Sequence, residues 1–334
     1  MPSESPLLTI AIPTYNRSRY LSRLLDSLLS QLKAETFDKP RVELLISDNA
    51  SSDDTSAILE TYRLQGLRFR SLRNQTNLGG DANIAQCFAE ASGQYVWIIG
   101  DDDIVLPGAL AFLLDFLAQD EYDLVHLRSK PLIEESPTGT LLRSPRTEII
   151  RDARTFTLRA HVYLTFITGN IVNKRRVLSL PHPPFSELIG TSLVQLGWMY
   201  TSLHSFRIGA FIHDPLVAAS ADDRGGYSLI TVFGTNLKYI TETWLKKPAL
   251  VRIVLNGTLQ TFFPFFVLRA HLREGAFFPE DQDALLHSLF SDRRRYYFFI
   301  YPLLKLPPQL GRLWLLLCRV INRFDKALGN PMLR

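Results

Sequence analysis

The chain has 334 residues, with 37 Lys and Arg against 33 Asp and Glu for a formal charge of +4, and 46% of it is hydrophobic. That length carries one large domain or a domain with a smaller companion, and the apolar content excludes a disordered chain. With 18 Gly and 19 Pro it is neither collagen-like nor of low complexity, and its two cysteines, Cys87 and Cys318, supply neither a disulfide framework nor a Cys-based zinc site.

The first half alternates strand and helix patterns. Residues 7–12 (LLTIAI) form an apolar, β-branched run that Pro13 is expected to end. Apolar residues at 21, 24, 25, 28, 29 and 32 then mark one face of a helix over 18–32. Residues 42–46 (VELLI) read as a second strand, and the polar stretch SDNASSDDT leads into a helix over 56–62. Next come a weaker strand over 67–72, a helix over 81–91 and a buried strand over 95–99 (YVWII). A helix over 107–118, with Pro107 in its first turn, precedes another strand over 122–127. Strands that are mostly apolar throughout and separated by helices predict an α/β fold, a mainly parallel sheet covered on both faces. Residues 129–151, rich in Pro, Ser, Thr and Glu, read as an insertion or a surface hairpin, and 156–223 mix short apolar runs with turns. Beyond about 228 the pattern is helical and aromatic, with Phe262, Phe263, Phe265 and Phe266 close together. The expected organisation is a domain over 1–225 and a helical region over 226–334.

Polar residues collect where three of these strands end. Residues 7–12 run into Pro13-Thr14-Tyr15-Asn16-Arg17, 42–46 into Ser47-Asp48-Asn49-Ala50-Ser51-Ser52-Asp53, and 95–99 into Gly100-Asp101-Asp102-Asp103. In a parallel sheet all three clusters share the carboxyl edge, where open α/β sheets bind ligands. Asp48 can accept hydrogen bonds from a base or a ribose, and the Tyr15 ring can lie against a base. Three consecutive carboxylates with no basic residue beside them repel one another unless a cation neutralises them. Mg²⁺ or Mn²⁺ takes such oxygen ligands and bridges to a diphosphate. The single residues also suit plainer roles: Asp48 and Asn49 an Asx turn, Asp53 a helix cap, Tyr15 packing. G-x-G-x-x-G after the first strand and G-x-x-x-x-G-K-[ST] are absent, as are G-x-S-x-G and H-E-x-x-H. His126, His161, His182, His204 and His213 have no regular metal-ligand spacing.

Four stretches, TIAIPTYNR (9–17), ISDNASSDDT (46–55), NQTNLGGDANI (74–84) and YVWIIGDDDI (95–104), together resemble the family 2 glycosyltransferases of the GT-A fold. Within that family they are most similar to the abequosyltransferase-type enzymes of O-antigen assembly. A weaker similarity continues through GNIVNKR (169–175), IGTS (189–192) and PLVAASADD (215–223). The resemblance implies transfer of a sugar from a nucleoside-diphosphate sugar donor to a hydroxyl of a saccharide acceptor, lipid-linked, in cell-surface polysaccharide synthesis. It implies Mn²⁺ or Mg²⁺ as cofactor and no nucleic-acid partner. By position in the motifs it implies that Pro13, Tyr15 and Asn16 line the base and ribose pocket. Asp48 then faces the base with Asn49 and Asp53 nearby, while Asn77, Gly79 and Asn83 border the diphosphate and ribose. The aspartates correspond to the metal-binding D-x-D element, whose first carboxylate falls at Gly100 here. Asp102 is therefore the first expected metal ligand and Asp103 the second, with Asp101 among the donor contacts and able to restore a D-x-D shifted by one. Where the family usually carries an acidic pair on the acceptor side, the chain reads Gly190-Thr191-Ser192. Asp222, after the PLV run, and Glu187 are the candidates for the catalytic base. A sugar-1-phosphate nucleotidyltransferase and a catalytically inactive nucleotide-sugar-binding scaffold are the alternatives.

Residues 293–334 carry nine Lys and Arg and one Asp, a local charge of +8, against −4 for the rest. Interleaved with aromatic residues, that charge predicts attachment to an anionic membrane surface. Two apolar pieces, 296–304 and 313–321, flank Pro307-Pro308. Each is too short to cross a bilayer and is expected to lie in its interface, with Arg312, Arg319 and Arg323 at the headgroups. No uninterrupted apolar run predicts a spanning helix, and the N-terminus has no signal-peptide pattern. The expected location is cytoplasmic, peripheral on the inner face of the cytoplasmic membrane.

Overall fold

The computed structural model describes residues 5–32, 41–132, 144–220, 226–272 and 277–329. The chain divides into two compact units, one from Met1–Asp152 and Leu164–Ala221, the other from Ala153–Tyr163 and Asp222–Arg334. The stretch Ala153–Tyr163 thus joins the second unit, whereas a division at 225 assigns it to the first. The reason is packing: the Ala153–Ala160 helix lies against the Pro248–Gly257 helix. His161 sits so close to Gly257 that a Cβ there would come within 2.7 Å of the imidazole Cγ.

In the first unit the strands are β1 (Leu8–Thr14), β2 (Val42–Asp48), β3 (Arg70–Arg73), β4 (Tyr95–Ile98), β5 (Ile104–Val105), β6 (Leu124–Pro131), β7 (Thr147–Ile150), β8 (Asn170–Asn173) and β9 (Gly209–Ala219). They form one sheet in the order β3-β2-β1-β4-β8-β6-β9-β5, with β7 on β9. The β3-β2-β1-β4 block is parallel, as is β6 with β9. Strand β8 runs antiparallel between β4 and β6, and β5 and β7 run antiparallel to β9. The predicted mainly parallel sheet is therefore present.

Helices α1 (Ser18–Leu32), α2 (Thr55–Leu64), α3 (Gly80–Glu90) and α4 (Ala109–Leu117) flank these strands. Helix α1 buries Leu21, Leu24, Leu25 and Leu28, the stripe its sequence period predicts. These join Leu8, Ile10 and Ile12 of β1 and Tyr95 and Trp97 of β4 in one apolar core. Each fully buried Leu or Ile contributes roughly 1.5–3 kcal/mol.

Two boundaries differ from expectation for local reasons. Pro13 does not end β1, which continues to Thr14 opposite Asp48. The Ala11 carbonyl accepts from Ile99 N on the β4 side. Two residues on, Pro13 turns its nitrogen to that same side, beyond the last β1–β4 pair, Ala11 with Ile98. A missing N–H there breaks no ladder bond. Pro107 stands before α4 and not in its first turn, because Gly108, at φ 71°, caps a helix that starts at Ala109.

The second unit has its own core, in which Leu259, Phe263, Phe290, Tyr296, Phe299 and Ile300 are buried. Of the piece 296–304, Tyr296, Phe299, Ile300, Leu303 and Leu304 are buried in that core, while Tyr297, Phe298 and Tyr301 are exposed. The Pro248–Gly257 helix continues through a π-helical stretch, Thr258–Phe262, into Phe263–His271. Among the described residues, Pro248–His271 is the one helix long and apolar enough to cross a membrane by length and composition, and 67% of its apolar window is buried.

Candidate active site

The carboxyl ends of β1, β2, β3 and β4 lie side by side, and side chains from each stitch the following loops together. Thr14 Oγ1 donates to Asp101 Oδ2 at 2.7 Å. Arg17 Nη1 donates to Asp101 Oδ1 at 3.3 Å and to Asp102 Oδ2 at 2.9 Å. Asn16, at a left-handed φ of 52° that Asn tolerates, accepts from Ser52 N at 2.7 Å, and its own N–H donates to Ser51 Oγ. The first strand's end is thereby tied both to the aspartate loop and to the loop after β2.

Asp48 and Arg73 are register partners across β2 and β3. Asp48 Oδ2 accepts from Arg73 Nη1 at 2.6 Å and Oδ1 from Ser51 N at 2.9 Å, so the turn-forming role is filled and both oxygens are engaged. Asn49 Nδ2 donates to Asn77 Oδ1 and to Gly79 O, while its Oδ1 accepts from Asn74 Nδ2 and Leu78 N. Asp53 accepts from Ser18 N with one oxygen and from Thr55 N and Oγ1 with the other, joining the starts of α1 and α2. Asn83 is buried, donates to Ser47 O and accepts from Ser47 Oγ, fixing α3 to β2. These four residues shape the edge. Tyr15, 41% exposed, and Asn77 and Gly79, also exposed, stand on it. Pro13 is partly buried beneath. Gly79 turns into α3 with φ 87°, a conformation that favours glycine.

The three aspartates differ sharply. Asp101 and Asp103 are buried, whereas Asp102 is partly exposed. Burial pushes the Asp101 carboxyl up to about 6, against the pull of Arg17 and the Thr14 hydroxyl. Burial likewise pushes Asp103 up to about 7, against hydrogen bonds from Thr168 Oγ1 and Ser220 N. Thr168 Oγ1 also accepts from Gly100 N at 2.9 Å. The run does have a basic partner: Arg17, distant from it in sequence, reaches it because β1 and β4 are neighbours. The expectation of an unneutralised run is thereby corrected.

Among the described residues no three His, Cys, Asp or Glu side chains converge as a metal cage. Both oxygens of Asp101 and of Asp103, the second expected ligand, accept hydrogen bonds that hold the two carboxyl groups in place. Asp102 uses Oδ2 for Arg17 and keeps Oδ1 without a hydrogen bond among the described residues. One partly exposed carboxylate oxygen fits a hard divalent ion whose other ligands are diphosphate oxygens and water, and does not fit a site built from protein alone.

Of the two candidate bases, Asp222 lies outside the described residues, and Glu187 is exposed in the turn Phe185–Leu188. The sequence reading missed Asp81. This nearly buried carboxylate in the first turn of α3 accepts from Gly190 N at 2.8 Å, Ser192 N at 2.7 Å and Val194 N at 3.4 Å. It docks the Gly190-Thr191-Ser192 loop beside Gly79. Burial raises its pKa, and the backbone N–H groups pull it back. The only sequence signal for Asp81 is an acid at a helix N-terminus. Arg73 was legible only through the β2–β3 register. A cavity of about 600 Å³ along α1, lined by Ser18, Arg19, Ser22, Arg23, Asp26 and Asp54 among others, includes none of the expected donor contacts.

A parallel block whose carboxyl edge joins amides, an exposed tyrosine and an aspartate loop is an arrangement of the GT-A fold. The model of the family described as glycosyl transferase family 2 matches residues 9–179, and the chain belongs to that family. Abequosyltransferase RfbV of Salmonella typhimurium is 40% identical over 113 residues, which is 33% of this chain and 32% of that protein. The GalNAc(5)-diNAcBac-PP-undecaprenol beta-1,3-glucosyltransferase of Campylobacter jejuni is 31% identical over 131 residues, 39% of this chain and 40% of that one. The chain thus matches between a third and two-fifths of these relatives' length. The solved structure of Staphylococcus aureus TarS 1-349 with UDP-GlcNAc superposes with a TM-score of 0.61 at 16% identity, covering 96% of this chain and 92% of that one, a likeness of fold.

Proposed function

We propose that this protein transfers a sugar from a nucleoside-diphosphate sugar to a hydroxyl of a lipid-linked saccharide during assembly of a cell-surface polysaccharide, on the inner face of the cytoplasmic membrane. The observation that carries the reading is the shared carboxyl edge, where the exposed Tyr15, Asn77 and Gly79 stand over a scaffold knotted by Asn16, Asp48, Asn49 and Asp53. Tyr15 offers its ring to the base. The α3 N-terminus behind Gly79 offers N–H groups and a positive dipole end to the diphosphate. Asp102 would hold Mn²⁺ or Mg²⁺ through Oδ1, and that cation offsets charge on the leaving diphosphate when bound. Asp101, held by Thr14 and Arg17, keeps the loop that carries Asp102 in place. A lipid-linked acceptor is supported by the Campylobacter relative, which is named for an undecaprenol-linked one.

Asp222 is our choice for the base that deprotonates the acceptor hydroxyl, with Glu187 the other candidate. Removing a general base lowers kcat by about 10²–10⁴-fold. Asp222→Asn is expected to do so with little change in donor KM. The same loss in Glu187→Gln would move the role there. The reading as a whole is tested by thermal shift with UDP, GDP, CDP and dTDP, with and without Mn²⁺, followed by donor hydrolysis. A nucleotide at about 100 times its Kd stabilises by roughly 2.7 kcal/mol. Stabilisation by one base and release of sugar from its donor are the expected results. Binding without release would mark an inactive scaffold, and no stabilisation by any of the four would overturn the assignment.

A further inference from the structure

The Pro308–Ala327 helix has three faces. One packs into the second unit: Gly311, Cys318 and Asp325 are buried, Trp314 Nε1 donates to Phe298 O, and Asp325 accepts from Gln260 Nε2 at 2.9 Å. A second face exposes Leu310, Leu313, Leu317, Val320 and Phe324, spaced three and four apart, with Leu313 61% and Phe324 68% exposed. At 3.6 residues per turn these occupy an arc of about 80°, which Leu316 widens to about 120°. The third face, adjoining it, carries Arg312, Arg319, Arg323 and Lys326, all exposed. The exposed Phe298 ring lies 5.4 Å from the Trp314 ring, and the Arg319 guanidinium lies 5.6 Å over the exposed Phe265 ring.

A contiguous apolar stripe of this length on a protein surface marks an interaction site. Charge decides the occupant. The helix's one acid, Asp325, is buried on the packed face, so every exposed charge on the helix is positive. A second copy docked antiparallel, stripe to stripe, would set arginine rows against each other, where paired helices place opposite charges. A bilayer surface bearing anionic headgroups complements both faces together, taking the leucines at the acyl boundary and the guanidiniums at the phosphates.

We propose that the Pro308–Ala327 helix seats the protein on an anionic lipid bilayer, lying in the interface with its stripe towards the acyl chains. The apolar piece that enters is this one helix. The preceding segment, 296–304, gives five side chains to the core, so truncation before it is not a clean test.

Flotation of the full chain tests this, using vesicles of phosphatidylglycerol in phosphatidylcholine against vesicles of phosphatidylcholine alone. The protein is expected to float with the anionic vesicles and to be released by high salt, since screening shortens the reach of the arginines. The triple variant Leu313→Ser, Leu317→Ser, Val320→Ser is expected to lose flotation with an unchanged thermal midpoint, because none of these side chains is in the core. Arg319→Gln with Arg323→Gln is expected to weaken partitioning roughly 25-fold, at about fivefold per charge. No binding of the wild-type chain to anionic vesicles would overturn the proposal, as would equal flotation of the serine variant. So would a wild-type dimer that the serine variant dissolves in sedimentation while leaving flotation unaltered.

Discussion

Asp81 shows how one carboxylate organises residues far away in the sequence. It accepts from the backbone N–H of Gly190, Ser192 and Val194, more than a hundred positions on. The Gly190 and Ser192 bonds are part-buried and the Val194 bond is buried, and leaving a buried donor unsatisfied costs about 1–3 kcal/mol. Asp81→Ala should therefore lower the unfolding free energy by roughly 3 kcal/mol, read as a reduced urea midpoint at unchanged slope. An unaltered midpoint would show that the loop holds itself. His126 makes a second residue-scale prediction. It is buried against Asn170, its ring nitrogen 2.9 Å from the amide oxygen, and burial lowers its pKa to about 4. An unfolded histidine titrates near 6.5. The folded pKa is the lower one, so the unfolded chain binds the proton first. The stability that the neutral ring permits is complete above about 6.5 and is lost as pH falls towards 4. The buried Asp101 and Asp103 are shifted upward and act in the opposite sense over part of this range. The prediction is therefore a difference. Relative to wild type, His126→Leu should gain roughly 3 kcal/mol between pH 7 and pH 4, whatever its offset at pH 7. Parallel acid limbs for the two proteins would contradict it.

At the scale of elements, the β1–β4 pairing sets the aspartate loop against Thr14 and Arg17. Gly93, just before β4, lies so close to β1 that a Cβ would meet Thr9 N at 2.6 Å and Leu8 C at 2.9 Å. Backbone atoms cannot yield as a flexible side chain can, so Gly93→Ala should push β4 away. Overpacking of this kind costs about 1–3 kcal/mol. A drop in melting temperature with weakened nucleotide binding is the expected result, and a wild-type melting curve would deny the close approach. Apart from the two-residue β5, the strand and helix order down to β6 was legible because each segment carries its own period: α1 shows its buried stripe, and β4 is apolar at every position. What the sequence hid was non-local. The β8 strand, Asn170–Asn173, is too short to announce itself, yet it fills the gap between β4 and β6. The three polar strand ends were readable as one edge. Their internal wiring was not, since Arg17 with Asp102 and Thr168 with Asp103 depend on which strands become neighbours.

At the scale of the molecule, two units with separate cores carry two kinds of surface. The first presents the carboxyl edge of a parallel sheet, and the second presents an apolar helix face lined with arginine. The basic end of the chain was visible from charge alone. That its second apolar piece exposes a whole face while its first gives five side chains to the core required the packing. The central claim concerns the first unit: its edge binds a nucleoside diphosphate through a divalent ion on Asp102. Calorimetric titration of the preferred nucleoside diphosphate into wild type and Asp102→Ala, each in Mn²⁺ and in EDTA, tests it most directly. Loss of a single charged interaction of this kind is worth about 1.5–3 kcal/mol, or roughly 10- to 150-fold in Kd. The account predicts that Mn²⁺ tightens binding to the wild type by at least that factor and leaves the Asp102→Ala affinity at its EDTA value, with both proteins equally folded. An Asp102→Ala protein that keeps the full Mn²⁺ enhancement would contradict it.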